Sequence, residues 1–147
     1  MNNIFIIGAV GAALGRHSAS NDIVISESFV SRRHCDVKYN GTTNQFLLYD
    51  VGSTTGTFIM IRQSLILKVG TMFQMGLSEF KVTNIKFNPM GQAIWMDLDI
   101  FEGPARSNNV EVVHDGLTIG RDPENGYSIR EDSQMSSFHS KIYLENG

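Results

Sequence analysis

Phe46-Leu47-Leu48-Tyr49-Asp50-Val51-Gly52-Ser53-Thr54-Thr55-Gly56-Thr57-Phe58-Ile59-Met60-Ile61 places two short apolar runs on either side of a loop of glycine and hydroxyl residues. The runs are rich in aromatic and branched side chains and too short for an ordinary helix, so they read as strands. The intervening residues carry turn chemistry. The pattern continues outward. Thr71-Met72-Phe73-Gln74-Met75 is another such run, and Ile94, Met96, Leu98 and Ile100 alternate with Trp95, Asp97, Asp99 and Phe101. A period of two puts the first set on one face of a half-buried strand. Gly, Asn, Asp and Ser clusters separate the runs, and no long stretch has a helical period. The chain is predicted to be all-β, a sandwich or barrel of many short strands.

The 147 residues suffice for one ordinary domain or two small ones, and 41% hydrophobic residues suffice for a packed core. A formal net charge of −3 argues against nucleic acid as a partner. Cys35 is the single cysteine and has no internal disulfide partner, which points to a reducing compartment. The apolar stretch Ile4–Leu14 is too short to span a bilayer and lacks the basic start of a secretory signal. No membrane association and a cytoplasmic or nuclear location are expected.

The chain also repeats itself. A shift of 105 residues lays Gly15-Arg16 on Gly120-Arg121, Ser28 on Ser133, Ser31 on Ser136 and His34 on His139, with no gap. Apolar positions follow: Leu14 with Ile119, Val24 with Ile129, Val37 with Ile142, Tyr39 with Leu144. Two copies are predicted, residues 1–88, with the first strand short or missing, and residues 93–147, holding only the front half. The boundary falls at Asn88-Pro89-Met90-Gly91, where Pro and Gly punctuate the strands. A half sandwich exposes a core face, so the chain is expected to be a piece of a longer protein or to be completed by another chain.

Three segments of the first copy offer what a phosphate monoester requires: a guanidinium, short hydroxyls and open backbone N–H groups. They are Gly15-Arg16, Ser31-Arg32-Arg33-His34 and Gly52-Ser53-Thr54-Thr55-Gly56-Thr57. In order and spacing, Leu14-Gly15-Arg16, Ser20–Ile25, Ser31–His34 and Asp50–Ile59 resemble the signature of the forkhead-associated (FHA) domain family. Leu67–Gly70, Phe73–Gly76 and Phe80–Ile85 resemble its closing strands.

The resemblance implies a two-sheet antiparallel β-sandwich of about eleven strands that binds phosphothreonine peptides through loops at one end, here in tandem with a truncated second copy. By position, Arg16 and Ser31 would hold the phosphate, Arg32 would add a second contact, and Thr54 would donate a hydroxyl. His34 would brace the loop, Gly15 and Gly56 would support it, and Thr55 would face the peptide. Thr55 departs from the asparagine usual in the family, which weakens the peptide clamp. Arg121, Ser136 and Ser137 are the corresponding phosphate candidates of the second copy. No catalytic residue, metal ligand or cofactor is implied, and the partner is a phosphothreonine-containing protein or peptide. The alternative is a structural scaffold, part of a larger protein assembly, whose FHA-like domains bind independently of phosphate.

An enzyme is the remaining rival. Ile4–Gly15 looks like a strand entering a Gly-rich dinucleotide loop, but the residues that follow, Arg16–Asn21, are polar and turn-like where a helix is needed. The Gly52–Thr57 loop lacks a P-loop lysine, and neither zinc spacing nor paired catalytic carboxylates stand out.

Overall fold

A computed structural model describes residues 4–144. Their eleven strands belong to two compact units, Met1–Met60 and Ile61–Gly147.

The first unit holds one sheet, ordered β2-β1-β3-β4, built from β1 (Ala12–Gly15), β2 (Ile23–Val24), β3 (Cys35–Asn40) and β4 (Gln45–Asp50). The β1–β2 pair is parallel and the others antiparallel. Leu14 pairs with Ile23 and Cys35, Val37 with Leu48, and Tyr39 with Phe46, so these side chains share one apolar face. Asp36, Lys38 and Asn40 alternate onto the other. Among the described residues, no second sheet of this unit covers the apolar face. Ile23 and Cys35 are buried, yet Phe46 is 52% exposed and Leu48 is also exposed.

The second unit is a sandwich. One sheet runs β5-β6-β7-β8, from β5 (Met72–Met75), β6 (Ser78–Phe87), β7 (Ala93–Glu102) and β8 (Asn109–Val112). The other runs β10-β9-β11, from β9 (Leu117–Gly120), β10 (Tyr127–Ser128) and β11 (Ser140–Ile142). A single core joins Met75, Phe80, Val82, Met96, Leu98, Ile100, Val110 and Val112 of the first sheet to Ile119, Ile129, Met135 and Ile142. Phe80, Leu98 and Ile100 are fully buried. Burial of side chains of this size contributes roughly 1.5–3 kcal/mol each. A register shift between Val82 and Asn84 lets β6 change which residues face inward: Phe80 and Val82 before it, Ile85 after it.

One polar group anchors this sandwich. Asp132 is 0% exposed. Its carboxylate accepts hydrogen bonds from the Leu77 amide at 2.9 Å and the Ser78 hydroxyl at 2.8 Å, in the turn between β5 and β6. The buried charge is thereby saturated with donors, as burial requires.

Several sequence expectations differ from this structure. Strands β5 and β6 pair with each other, β6 pairs also with β7, and the compact units divide after Met60. The Asn88–Gly91 stretch is a tight hairpin turn, in which Asn88 donates to the Gln92 carbonyl at 2.9 Å. The β6–β7 ladder presents Phe80, Val82, Met96, Leu98 and Ile100 to a core shared with Ile119 of β9 and Ile142 of β11. The family's eleven strands were expected in one domain; here eleven are shared between two units, and β1–β2 and β9–β10 are parallel. The run Thr57–Ile61 forms no strand, for no backbone among the described residues pairs with it, and Phe58 and Ile59 stay exposed. A strand is stable only in a ladder, whatever its composition.

Candidate functional site

Three loop segments of the first unit converge at the ends of β1, β3 and β4. The joint between the first two is made by backbone. The Arg16 amide donates to the Ser31 carbonyl at 2.9 Å, the His17 amide to the Arg32 carbonyl at 3.1 Å, and the His34 amide to the Leu14 carbonyl at 2.9 Å. A side chain locks the joint: Asn21 Nδ2 donates to the carbonyls of His17 and Arg32, both at 2.7 Å. Gly15 is required by proximity, because a Cβ there would lie 2.5 Å from the Arg32 carbonyl oxygen.

The third segment is folded by Asp50. Its carboxylate accepts from the Gly52 and Ser53 amides, each at 2.9 Å, and from the Ser53 and Thr57 hydroxyls. The Ser53 and Thr57 hydroxyls, then these amides, hold the Asp50 carboxyl well below the usual carboxylate range. The loop leaves through Gly56 at φ +77°, a conformation natural to glycine.

His34 joins the second and third segments. Its Nδ1 accepts from the Ser31 amide at 3.2 Å, so Nε2 carries the proton and donates to the Gly56 carbonyl at 3.0 Å. The ring is half-buried and both nitrogens are used, a bracing role. Cys35, next in sequence, is a buried side chain whose thiol is pushed up by burial and is unsuited to nucleophilic work.

What these joints hold is a polar cleft of about 440 Å3, lined by Arg16, Ser31, Arg32, Arg33, Gly52 and Thr54. The Ser31 hydroxyl accepts from the Thr54 amide at 3.0 Å and lies 3.4 Å from the Thr54 hydroxyl. Arg16 Nε donates to the Val30 carbonyl at 3.2 Å, which leaves its terminal nitrogens unpaired among the described residues. Arg32 has no carboxylate partner among them either. Arg33 is bound by Asp36, with Nη2 2.9 Å from both carboxylate oxygens. Among the described residues, no carboxylate lines the cleft.

Four of the five peptide-contact candidates, Arg16, Ser31, Arg32 and Thr54, therefore meet around one space. Thr55 does not line it; its hydroxyl donates to the Phe29 carbonyl at 3.0 Å. Sequence reading quoted Arg33 within its segment but gave no role of their own to Arg33, Asp36, Asn21 or Asp50. An asparagine signal was present: Asn125 stands at the equivalent place once a single-residue gap is allowed.

That gap corrects the strict 105-residue register. Leu14 pairs with Ile23 whereas Ile119 pairs with Tyr127, and the amides of Ile25 and Ile129 each bond the glycine carbonyl at 3.0 Å. The partner of Ile129 is thus Ile25, not Val24. With this adjustment the frame recurs bond for bond. The Arg121 amide donates to Ser136, Asp122 to Ser137 and His139 to Ile119, each at 3.0 Å, and Asn125 Nδ2 reaches Ser137 at 2.7 Å. Arg121, Ser136 and Ser137 are exposed on this frame, but the described residues there contain no counterpart of Gly52–Thr57, and His139 Nε2 lacks a partner among them.

Residues 13–76 match the family model of the FHA domain, a module that generally binds phosphopeptides in protein–protein interaction. The match covers less than half of the chain and takes in all three segments of the cleft. No curated protein and no solved structure matches.

Proposed function

We propose that the first unit binds phosphothreonine peptides and that the protein mediates phosphorylation-dependent protein–protein interaction without catalysing a reaction. The observation that carries this reading is the cleft itself, where the terminal nitrogens of Arg16, the Arg32 guanidinium and two hydroxyls surround a space that no described carboxylate lines. A phosphate monoester brings a charge of about −1.5 to −2 and three acceptor oxygens. Arg16 and Arg32 supply planar donors, and the Ser31 and Thr54 hydroxyls supply short ones. The joints made by Asn21, His34 and Asp50 keep these groups in place before the ligand arrives, which lowers the entropy cost of binding. Such a reader works where protein kinases act, in the cytoplasm or nucleus. Residues 119–139 are a second, partial copy of the same module, with Ser137 and Phe138 in place of Arg32 and Arg33.

One observation favours a second reading, a phosphate-independent scaffold: the Thr55 hydroxyl is already committed to the Phe29 carbonyl. Titration of the full chain with matched phosphorylated and unphosphorylated peptide pools separates the two. The proposed function requires binding only to the phosphorylated pool, and loss of at least about 100-fold in affinity in Arg16→Ala with an unchanged fold. Equal binding of both pools, or binding by Arg16→Ala like the parent's, would overturn it in favour of the scaffold.

A further inference from the structure

A peptide brings more than its phosphate to a cleft; it brings main-chain carbonyls that need donors. Around this cleft most short donors are spent. The Thr55 hydroxyl serves Phe29, the Thr54 amide serves Ser31, and the Ser53 amide and hydroxyl serve Asp50. Beyond Arg16 and Arg32, which face the phosphate in the reading above, Arg33 also keeps free donors. Both of its bonds to Asp36 leave from Nη2, so Nε and Nη1 remain without partners among the described residues. Its side chain is 52% exposed and lines the cleft.

Asp36 makes that arginine a fixed group. Its side chain is 11% exposed and lies on β3, the strand next to β1 in the sheet. The pairing raises the pKa of Arg33, chiefly through the Asp36 hydrogen bond. A guanidinium chelated in this way gives up little rotamer freedom when a ligand binds. It also has its charge answered. Three guanidiniums less the Asp36 carboxylate leave the cleft about +2, which a single phosphate of roughly −2 neutralises. The ligand partner suited to Arg33 is therefore a neutral acceptor.

We propose that Arg33, held by Asp36, is a peptide-binding contact that clamps a backbone carbonyl of the bound phosphopeptide and leaves the phosphate to Arg16 and Arg32. This rests on the phosphopeptide reading above. At the same place the second copy carries Phe138, which has no donor to offer.

The test uses the full chain, its Arg33→Gln and Asp36→Asn variants, and two probes: a phosphothreonine peptide pool degenerate at every other position, and inorganic phosphate. Arg33→Gln should weaken the pool roughly ten-fold and leave inorganic phosphate unchanged. Asp36→Asn should do the same, and the double variant should be no worse than either single one. Equal loss for both probes would make Arg33 a phosphate ligand and overturn the proposal, as would no loss for either. If Asp36→Asn fails to fold, Arg33→Gln, an exposed change, decides alone. If the parent binds neither probe, the phosphopeptide reading itself falls and this contact with it; if the parent binds both and Arg33→Gln is silent, only the contact falls.

Discussion

The loop frames at residues 14–34 and 119–139 share their hydrogen bonds, yet the units that carry them are built differently. The first has a complete three-segment cleft on a sheet whose apolar face stays largely exposed. The second has a buried two-sheet core and a frame that lacks the third segment among the described residues. The contrast teaches that the loop frame is local. It depends on a glycine, an asparagine and a histidine at the right spacing, and it forms whether or not a second sheet closes the core below. The cleft and the buried core are thus built by different residues in this chain.

Three experiments can break or sharpen that contrast. The largest effect should come from Phe80→Ala, which removes a fully buried ring and should cost about 3–5 kcal/mol in urea unfolding. Phe46→Ala, at a ring 52% exposed, should cost under about 1 kcal/mol. Equal costs would mean that the first sheet's apolar face is covered after all.

Gly120→Ala and Gly15→Ala test the shared frame. A Cβ at Gly120 would lie 2.2 Å from the Ser137 carbonyl oxygen, and one at Gly15 would lie 2.5 Å from that of Arg32. Each change should destabilise by about 1–3 kcal/mol, and amide exchange should rise first at residues 121–122 for Gly120→Ala and at residues 16–17 for Gly15→Ala. A silent Gly120→Ala would end the equivalence of the two frames.

The smallest effect concerns Asp50, which has no described counterpart after β11. Its carboxyl is held below the ordinary range by the Ser53 and Thr57 hydroxyls and neighbouring amides. A depressed folded pKa stabilises the loop above the unfolded carboxylate pKa of about 3.9 and is lost as pH falls through the folded value. Phosphopeptide affinity of Asp50→Asn should fall a few-fold at neutral pH, and the Gly52–Thr57 amides should exchange faster. Unchanged exchange there would show that Asp50 does not order the loop.

Much of this was legible without coordinates. The period of two placed Met96, Leu98 and Ile100 on the buried face of β7, and the resemblance to the FHA signature named Arg16, Ser31, Arg32 and Thr54, four groups that share one cleft. The repeat announced the second frame, with one error where a residue is lost from one loop and regained in the next. Arg33 and Asp36 escaped notice because an i, i+3 pair of opposite charges in a strand-forming chain has no fixed meaning until the chain bends between them.

Residue type and order by themselves determined the strand-rich class, the turn chemistry and the polar groups of the cleft, since these follow from local sterics and donor inventory. Strand partnership was decided only in three dimensions. Met72–Phe87 carries the same apolar alternation whichever sheet receives it. Its place beside β7 depends on total buried area and on the Asp132 carboxylate meeting the turn at Leu77 and Ser78, a contact spanning more than fifty residues of chain.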